Sequence, residues 1–549
     1  MRGRSALALA VVWGVAALAC GPSQPSQSLQ AAREISPTRA LLSTAIRQAA
    51  HLGAAGTETE IYLTLGLKTR HAARLASLLA AGHRVSSEAY IDEFGPDPVL
   101  AQSAVAALAA RGFHATWRPG SGLIAADGPA PAAASLLGID IEDYRLADGR
   151  TFYASLDNPR IPPQLAAIVS RITGLDSYWQ ARTYAVRPAG LTPTDILAFY
   201  NIKSLRDRGL DGSGQTIVLL EIDDLPNLKD LNQFATKFGL PPFDPLLTIK
   251  RDTSWGTPIK PQGETVLDLE IIHEVAPKAK LVAYIAGRDF SHQNRAFDQL
   301  VNDHDGSIIS ESLGTCEVGV SSASRDIYAS IDDRAVAQGM SHFVASMDSG
   351  AYMCGHDQDA ATSFPSTLPT VTAVGGTTVF ESVQGTYFKE TAWGSPIDET
   401  GTGGGASHYY ALPDYQNGVA QAAGHGMRQV PDVAAAGDPM TGFQIIFEGH
   451  VVQMGGTSAA TPLWAATVAL INQDLKKKGL REAGFANPAL YWMGRNSSKL
   501  HVPPFHDVTT GNNLAYGAGP GWDFATGWGS MDAAALDQAW ILYMKGGGV

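Results

Sequence analysis

The sequence predicts an α/β fold, in which a doubly wound parallel sheet forms a second domain after a small α+β first domain. Beyond about residue 216, short apolar runs alternate with helical segments, which is typical of parallel strands covered by helices on both faces. Before that point, strands and helices follow in mixed order, as in α+β domains. A stretch rich in Pro, Gly and Thr, 186–194, separates the two patterns and predicts the domain boundary.

Length and charge limit the class of protein. The 549 residues suffice for two or three domains, each with its own core. The net charge is -13 and only 17% of the residues are charged, which argues against a general nucleic-acid partner.

Residues 1–20 predict an export signal, because arginines precede an apolar run, Ala6–Ala19, that is too short to span a bilayer permanently. The segment Ala17–Cys20 is similar to a lipobox, in which the cysteine is acylated, and plain secretion is the alternative. Residues 21–37, rich in Ser, Gln and Pro, predict a linker. We therefore expect an extracellular or cell-envelope protein that reaches a membrane only through a lipid on Cys20.

The first domain, 38–185, predicts a split βαβ, ferredoxin-like fold from its mixture of alternating and helical patterns. A short helix is expected after Asn158, before the boundary. The predicted strands are 61–65, 113–117, 123–126, 139–144 and 151–154, and the predicted helices are 72–79, 99–110 and 131–137.

The second domain, 186–549, contains continuous apolar strands, which predict a sheet buried on both faces. In such a sheet the functional site lies beyond the carboxyl ends of the strands. The predicted strands are 216–220, 280–286, 307–310, 341–345 and 370–374, and the predicted helices are 266–275, 294–301, 323–337 and 463–475.

Ser458 is the candidate nucleophile. It lies in Gly455–Pro462, where a glycine pair and small residues lead into an apolar helix. This position is close to N–H groups without helical partners, which can stabilise an oxyanion. Pro462 is expected in the first turn, where a missing N–H has no cost. An ordinary Gly-Thr-Ser helix cap is the alternative.

A serine nucleophile needs a base, and a carboxylate pair is the candidate. Glu264 and Asp268 are four residues apart and share one face of a predicted helix, so they titrate as a coupled pair. The alternative is a solvated acidic helix start. The histidines nearest to a suitable position, His273 and His425, lack a His-Gly-Thr or His-Gly-Ser motif, and we expect neither to be catalytic.

A third carboxylate, Asp348, ends the apolar strand 341–345 and begins a Ser-Gly turn. It is therefore expected at the functional edge of the sheet, where a protonated Asp can donate to an oxyanion. A plain Asp-Ser-Gly turn is the alternative. Cys316 and Cys354 follow the strands ending near this edge, and as an even pair in an exported protein they predict a disulfide.

Together these features resemble the sedolisin family, the serine-carboxyl peptidases with a subtilisin-like fold, over most of the chain. The first domain is similar to the family's activation domain, a propeptide that assists folding and is removed. The matching motifs are Gly-Glu-x-x-x-Asp at 263–268, Ser-Leu-Gly at 312–314, Asp-Ser-Gly at 348–350, Phe-Pro at 364–365, Val-Gly-Gly-Thr at 374–377, Thr-Gly-Gly-Gly at 402–405, Pro-Asp-Val at 431–433, Gly-Gly-Thr-Ser at 455–458 and the segment from Asp507 onward.

The resemblance implies roles for four residues: Ser458 as nucleophile, Glu264 as base, Asp268 as the group that orients and shares its proton, and Asp348 as oxyanion donor. A carboxylate base titrates near 4 in free form, whereas a histidine base would be protonated in acid, so this set favours acid conditions.

The resemblance also implies one structural calcium ion near the carboxyl end of the chain. Two carboxylates and turn carbonyls suit a hard cation, and a plain Gly-Pro turn is the alternative. The implied ligands are the side chains of Asp507 and Asp523 and the backbone oxygens of Val508, Gly519 and Gly521.

Two residues depart from the family pattern. Leu313 stands where many relatives have a Trp that extends the acid network through a Glu resembling Glu221, so a shorter network is expected. Ser363 stands where some relatives have an Asp in the specificity pocket, so a preference for a basic residue before the cut bond is not expected.

The sequence therefore predicts a secreted, acid-acting endopeptidase that is made as a proenzyme, forms an acyl-enzyme on Ser458 and is cut between about Ser177 and Thr192. Its partners are protein or peptide substrates and its own prodomain, which acts as intramolecular chaperone and inhibitor, and we expect a monomer. A catalytically inactive surface lipoprotein that binds protein or peptide on the same fold is the alternative, although an intact set of four site residues disfavours it.

Overall fold

A computed structural model describes residues 37–80, 83–146, 149–178, 190–257, 263–355, 359–382 and 386–546, all within one compact unit, Pro37–Val549. The predicted export signal, the lipobox and the linker up to residue 36 lie outside the described residues, and so does most of the expected cleavage region, 179–189. No helix in the described ranges is both long and apolar enough to cross a bilayer.

The first domain contains two antiparallel sheets, with strand orders β3-β4-β2-β7 and β1-β5-β6. In β2, alternate residues such as Ile61, Leu63 and Leu65 are fully buried against α4, α5 and the neighbouring strand. The elements are β1 (Ala50–Ala54), β2 (Glu60–Leu67), β3 (His114–Thr116), β4 (Leu123–Pro129), β5 (Glu142–Arg145), β6 (Thr151–Ala154), β7 (Val169–Thr173), α1 (Pro37–Gln48), α2 (Ala72–Ala80), α3 (Ser87–Glu93), α4 (Pro98–Ala109) and α5 (Ala130–Leu137).

The larger sheet has the strand order and chain order of the predicted ferredoxin-like fold, β-α-β-β-α-β. The expectation of a short helix after Asn158 is wrong for the described residues up to 178, which contain turns and strand β7 at 169–173. Val169 and Ile172 are buried in the pairing of β7 with β2, so long-range pairing outweighs the local pattern.

The second domain is built on the predicted parallel sheet, with eight strands in the order β14-β13-β12-β11-β8-β10-β9 and with β15 beside β13. All neighbours pair in parallel except β13 and β14, which pair antiparallel. The strands are β8 (Thr216–Ile222), β9 (Leu247–Lys250), β10 (Lys280–Ala286), β11 (Ile308–Glu311), β12 (Ser341–Ala345), β13 (Thr372–Glu381), β14 (Tyr387–Ala392) and β15 (Val433–Ala436).

Helices cover both faces of this sheet, as expected for a doubly wound fold. In β8, Ile217 and Leu219 face the core that contains α9 and α12, whereas Val218 and Leu220 face the core that contains α10 and α11. The helices are α6 (Pro193–Phe199), α7 (Lys203–Asp207), α8 (Leu228–Phe238), α9 (Glu264–Val275), α10 (Phe290–Asp303), α11 (Ser322–Ala337), α12 (Thr457–Lys477), α13 (Asn487–Asn496) and α14 (Ala533–Gly546).

Short two-stranded ribbons outside these sheets support the loops. The one closest to α12 is a hairpin of Phe443–Phe447 with His450–Met454, which runs directly into the Gly455–Gly456 pair. The others pair Thr315–Cys316 with Ser363–Phe364, Gly394–Ser395 with Thr400–Gly401, Gly405–Ala411 with Met427–Val430, and Phe505–His506 with Ser530–Met531.

The first domain rests on α10 and α11 of the second. Arg295 on α10 is buried, donates to the carbonyl of Leu63 at 3.0 Å and pairs with Asp127. On α11, Arg334 donates to the carbonyl of Gly120 at 2.7 Å. Both arginines thus hold the first domain by hydrogen bonds to backbone, which depend on its folded shape.

Helix α9 buries every one of its residues, including two glutamates that lie outside the predicted site. Both carboxyl oxygens of Glu274 are buried and lack a hydrogen-bond partner in the described structure. Burial, with Asp195 nearby, raises the pKa of Glu274 well above its usual value. The fold thus favours the protonated form of Glu274, so the contribution of this group to the free energy of unfolding is full in acid and is lost as the pH rises through the folded-state pKa.

We expect Glu274→Gln to stabilise the proenzyme at pH 7, by roughly 2 °C or more in Tm, and to change Tm little at about pH 4, because the neutral amide removes the cost of a buried charge. Thermal unfolding at both pH values measures this. Glu58→Gln, at an exposed turn, is the matched control and should change neither Tm. An equal change at both pH values for Glu274→Gln would contradict the prediction.

Candidate active site

Ser458 lies at the start of α12, directly after the glycine pair, and only 6% of it is exposed. The helix begins at Thr457, after Gly456 with φ of 116°. A Cβ at position 456 would lie 2.7 Å from Oδ2 of Asp348. Glycine is therefore required here both by the backbone conformation and by the closeness of the Asp348 carboxyl.

Pro462 lies inside α12, not in its first turn as expected. Because proline has no N–H, the carbonyl of Ser458, four residues earlier, receives no bond from the helix backbone at that position. The hydroxyl of Ser312 approaches this carbonyl to 3.2 Å. The interruption of the helix thus leaves the Ser458 carbonyl available to a side chain from the end of β11.

The hydroxyl of Ser458 interacts with the carboxyl of Glu264, the first residue of α9, and lowers its pKa. One turn later on the same face is Asp268, whose Oδ2 accepts a 2.6 Å hydrogen bond from Ser312. Both carboxyls are buried, so the alternative of a solvated acidic helix start is wrong. The structure therefore brings the predicted base and its partner to Ser458.

Burial and mutual repulsion control the protonation of these acids. Burial raises the pKa of Glu264, the charges of Asp268, Asp348 and Asp224 raise it further, and the hydrogen bond from Ser458 opposes them. Burial also raises the pKa of Asp268, while the hydrogen bond from Ser312 lowers it. Two such close carboxyls do not both ionise readily, so the pair retains a proton into the acid and neutral range.

Asp348 joins this group from the end of β12. Its Oδ1 accepts hydrogen bonds from the backbone N–H of Thr457, at 2.8 Å, and from the Thr457 hydroxyl, at 2.9 Å. Burial raises the pKa of Asp348 to about 6, although these two bonds lower it. Because Oδ1 already accepts two donors, a proton on this carboxyl belongs on Oδ2, the oxygen beside Gly456.

Two further acids complete the buried group. Asp224 follows β8 and accepts the N–H of Thr265 at 3.0 Å, which satisfies a free donor in the first turn of α9. Glu221, on β8, accepts a 3.3 Å hydrogen bond from the Thr265 hydroxyl, and burial raises its pKa. Asp224 was not predicted from the sequence. The acidic pair 223–224 directly after the first strand of the sheet could have indicated a site residue, because it lies at the carboxyl end of that strand.

The two histidines weighed as bases lie elsewhere. His273 is near the end of α9, two and a half turns from Glu264, and its Nε2 is 2.7 Å from the carbonyl of Pro241. Burial lowers the pKa of His273 to about 4. His425 adopts a left-handed conformation in the loop before Met427–Val430. The titratable side chain that interacts with the Ser458 hydroxyl is thus the carboxyl of Glu264.

A disulfide joins Cys316 and Cys354, as predicted. It links the segment after Ser312 to the turn after Asp348, so two edges of the site are covalently tied. Ser363 pairs with Cys316 across a short ribbon, is buried and donates to the carbonyl of Ser346 at 3.0 Å. It therefore places no charge in this part of the site.

The predicted calcium ligands converge on one turn. The N–H of Gly521 donates to Oδ2 of Asp507 and the N–H of Gly519 to Oδ2 of Asp523, both at 2.9 Å. The Thr526 hydroxyl lies 3.5 Å from the carbonyl of Val508 and 3.3 Å from both oxygens of Asp523. The two carboxylates and the Val508 carbonyl thus belong to one hydrogen-bonded group of residues.

The chemistry of this turn fits a hard cation. Burial raises the pKa of Asp507, and raises that of Asp523 to about 6, and no basic side chain is among the causes of either shift. In the described ranges no group of three or more His, Cys, Asp or Glu side chains gathers as a metal site. A cation here would therefore depend on two carboxylates supplemented by backbone oxygens and water.

A parallel doubly wound sheet that carries a buried Ser–Glu–Asp group, with a separate ferredoxin-like domain ahead of it, defines a subtilisin-like serine peptidase with a propeptide. Comparison with known families agrees: residues 257–529 match the model of the Subtilase family, and residues 47–178 match that of the Pro-kumamolisin activation domain.

Individual proteins are also similar to this chain. Kumamolisin of Bacillus sp. (strain MN-32) is 32% identical over 454 residues, covering 76% of this chain and 79% of kumamolisin. Sedolisin of Pseudomonas sp. (strain 101) is 30% identical over 582 residues, covering 96% of this chain and 95% of sedolisin. The solved structure of Pseudomonas sedolisin with two molecules of pseudo-iodotyrostatin aligns at a TM-score of 0.56 and 28% identity, over 67% of this chain and all of that one.

The chain belongs to the sedolisin family of serine-carboxyl peptidases. It is a serine-type peptidase that is made as a proenzyme, with a prodomain ahead of the catalytic domain. The predicted family and fold class are thereby confirmed, and the alternative of an inactive binding lipoprotein is disfavoured.

Proposed function

We propose that this protein is a secreted, acid-acting serine-carboxyl endopeptidase in which Ser458 is the nucleophile and Glu264 the general base. The observation that carries the proposal is the interaction of the Ser458 hydroxyl with the buried Glu264 carboxyl, whose pKa the hydroxyl lowers and the charge of Asp268 raises. A serine attacks a peptide carbonyl only when a group within reach takes its proton, and the carboxyl of Glu264 is that group.

In the acylation step, Glu264 accepts the proton of the Ser458 hydroxyl as its oxygen attacks the substrate carbonyl. Asp268 retains the second proton of the pair, so that one of the two carboxyls is ionised and ready as base. Ser312 holds Asp268 in place by its 2.6 Å hydrogen bond. Glu264 then returns the proton to the leaving amine, and water hydrolyses the acyl-enzyme by the same route in reverse.

Asp348 is the proposed oxyanion donor. With Oδ1 occupied by the two donors of Thr457, its proton is on Oδ2 and available to the developing oxyanion. A pKa of about 6 keeps this proton in place in acid and releases it as the pH rises. Activity is thus limited at the alkaline side by Asp348 and at the acid side by protonation of the Glu264–Asp268 pair.

The prodomain fits the role of intramolecular inhibitor, and processing is proposed to remove it. Leu191 stays with the catalytic domain, because its N–H donates to the Gly442 carbonyl at 2.7 Å and its carbonyl accepts from Gln444 at 2.9 Å. Within the expected region, Ser177 to Thr192, the cut is therefore proposed before Gly190. Secretion is proposed from the export-signal pattern of residues 1–20. A monomeric state and a lipid on Cys20 are two further proposals.

The substrates are proposed to be unfolded proteins or peptides in an acid environment. A neutral Ser363 gives no basis for selecting a basic residue before the cut bond. A structural calcium ion is proposed at Asp507, Val508, Gly519, Gly521 and Asp523, where it would neutralise the exposed carboxylate of Asp507 and the buried one of Asp523.

The first test is acid processing. Purified full-length protein at about pH 4 should lose its prodomain and digest an unfolded protein, because the acid pair and Asp348 are then correctly protonated. Ser458→Ala should do neither, whereas Ser204→Ala, on α7, should behave as wild type. Gel mobility, sequencing of the new amino terminus and release of peptides measure the outcome. Removal of the prodomain from Ser458→Ala, with no other protease present, would contradict the assignment of Ser458 as nucleophile.

The second test is the pH profile of Asp348→Asn. An amide keeps the acceptor for Thr457 and donates from the other position at every pH, so the alkaline limb near pH 6 should move upward, with a lower maximum. The profile of kcat between about pH 3 and 8 measures this. Asp207→Asn, at an exposed ion pair, should leave the limb unchanged. An unchanged limb in Asp348→Asn would count against the role of Asp348.

The third test addresses calcium. Protein treated with EGTA should gain Tm on addition of CaCl2, by an amount equivalent to about 2.7 kcal/mol at one hundred times Kd, and much less with MgCl2. Asp523→Asn should remove the gain, and Asp398→Asn, an exposed carboxylate in another loop, should keep it. A gain of equal size in Asp523→Asn would refute the site.

A further inference from the structure

A second polar group is buried behind the active site, between the sheet and α11. His342 on β12 points its Nε2 at Glu311 of β11, at 2.9 Å, and its Nδ1 at Asp332 of α11, at 2.7 Å. Tyr328, one turn before Asp332, donates its hydroxyl to the same oxygen of Glu311. All four side chains are almost fully buried, and the ring of Phe297 from α10 closes the remaining side.

The imidazole of this group stays protonated throughout the acid and neutral range. Burial lowers the pKa of His342, but the carboxylates of Asp332 and Glu311 outweigh it and raise the pKa to about 9. An imidazolium between two carboxylates donates through both ring nitrogens. The charged pairs therefore fix the side chain of Glu311 against α11 through charge-assisted hydrogen bonds.

Glu311 is followed directly by Ser312, which belongs to the active site. Successive side chains on an extended chain point to opposite faces, so Glu311 faces α11 while Ser312 faces α9 and α12. The Ser312 hydroxyl is 2.6 Å from Oδ2 of Asp268 and 3.2 Å from the carbonyl of Ser458. Glu311 thus anchors the backbone on the α11 side, and Ser312, the next residue, contacts the active site on the other side.

We propose that His342 is a positioning residue of the active site, which, by clamping Glu311 onto α11, fixes Ser312 where its hydroxyl holds Asp268 and the backbone of Ser458. The proposal rests on the proposed function, because it concerns the geometry of the same acid pair. His342 itself touches none of the reacting groups and acts only through Glu311 and Ser312. A loose Ser312 would misplace the pair by fractions of an ångström, which is costly in catalysis.

The test is a double-mutant cycle on the processed enzyme, comparing wild type, Ser312→Ala, His342→Gln and the double variant. We expect each single variant to lower kcat by about tenfold or more with KM within about twofold, because orientation and not binding is lost. In the Ser312→Ala background, His342→Gln should change kcat by less than about twofold. Multiplicative losses in the double variant would overturn the proposal.

The pH profile gives a second readout. The hydrogen bond from Ser312 lowers the pKa of Asp268, so its loss should move the acid limb of kcat to higher pH, by the same amount in both single variants. A lower kcat in His342→Gln with the limb of the wild type would show a merely structural effect and overturn the proposal.

Two variants guard against simple misfolding. Glu311→Gln preserves shape and one acceptor but removes the charge, and it should reproduce the result of His342→Gln in weaker form. His292→Gln is the matched control. His292 is also a buried histidine paired with a carboxylate, Asp289, but its ring contacts Tyr62 of the prodomain. This variant should leave kcat of the processed enzyme unchanged. Wild type against Ser458→Ala tests the chemistry, so failure of the proposed function is distinguishable from failure of this inference.

Discussion

The interaction between the Ser458 hydroxyl and the Glu264 carboxyl is the one on which the site depends. It requires an acid to be buried at the start of α9, next to Asp268 and within reach of Asp224 and Asp348. Acids this close do not all ionise readily, so some of them keep a proton. The protein thus holds its active group together best where carboxyls are at least partly protonated.

The surrounding structure is arranged to tolerate this concentration of acids. Asp224 accepts a free N–H of α9, Ser312 donates to Asp268, and Thr457 donates twice to Asp348. Each of these donors is neutral, so these hydrogen bonds orient the acids without adding a positive charge. Two further acids of α9, Glu270 and Glu274, are also buried. Burial raises the pKa of both and favours their protonated forms.

The sheet separates two functions of the second domain. On one face, α9 and α12 carry the proposed base, Glu264, and the proposed nucleophile, Ser458. On the other face, α10 and α11 carry the first domain through Arg295 and Arg334. Helix α11 serves both sides, since it also supplies Tyr328 and Asp332 to the charged group behind Ser312. The same helix, α11, thus contacts the prodomain and supports the backbone next to the site.

Much of this follows from the sequence, because it depends on local pattern. Spacing and residue type predict the apolar strands of the parallel sheet and the ferredoxin-like order of the first domain. They also predict the carboxylate pair at 264 and 268 and the cysteine pair. Strand β7 and the position of Pro462 within α12 are not, since they depend on pairing with β2 and on a hydroxyl that arrives from β11. The joining of Asp224 and Ser312 to the acid pair, and of His342 to Glu311, was decided only by the tertiary structure. Burial and long-range contact, which set the charge of an acid and the partner of a donor, have no signature in a single stretch of chain.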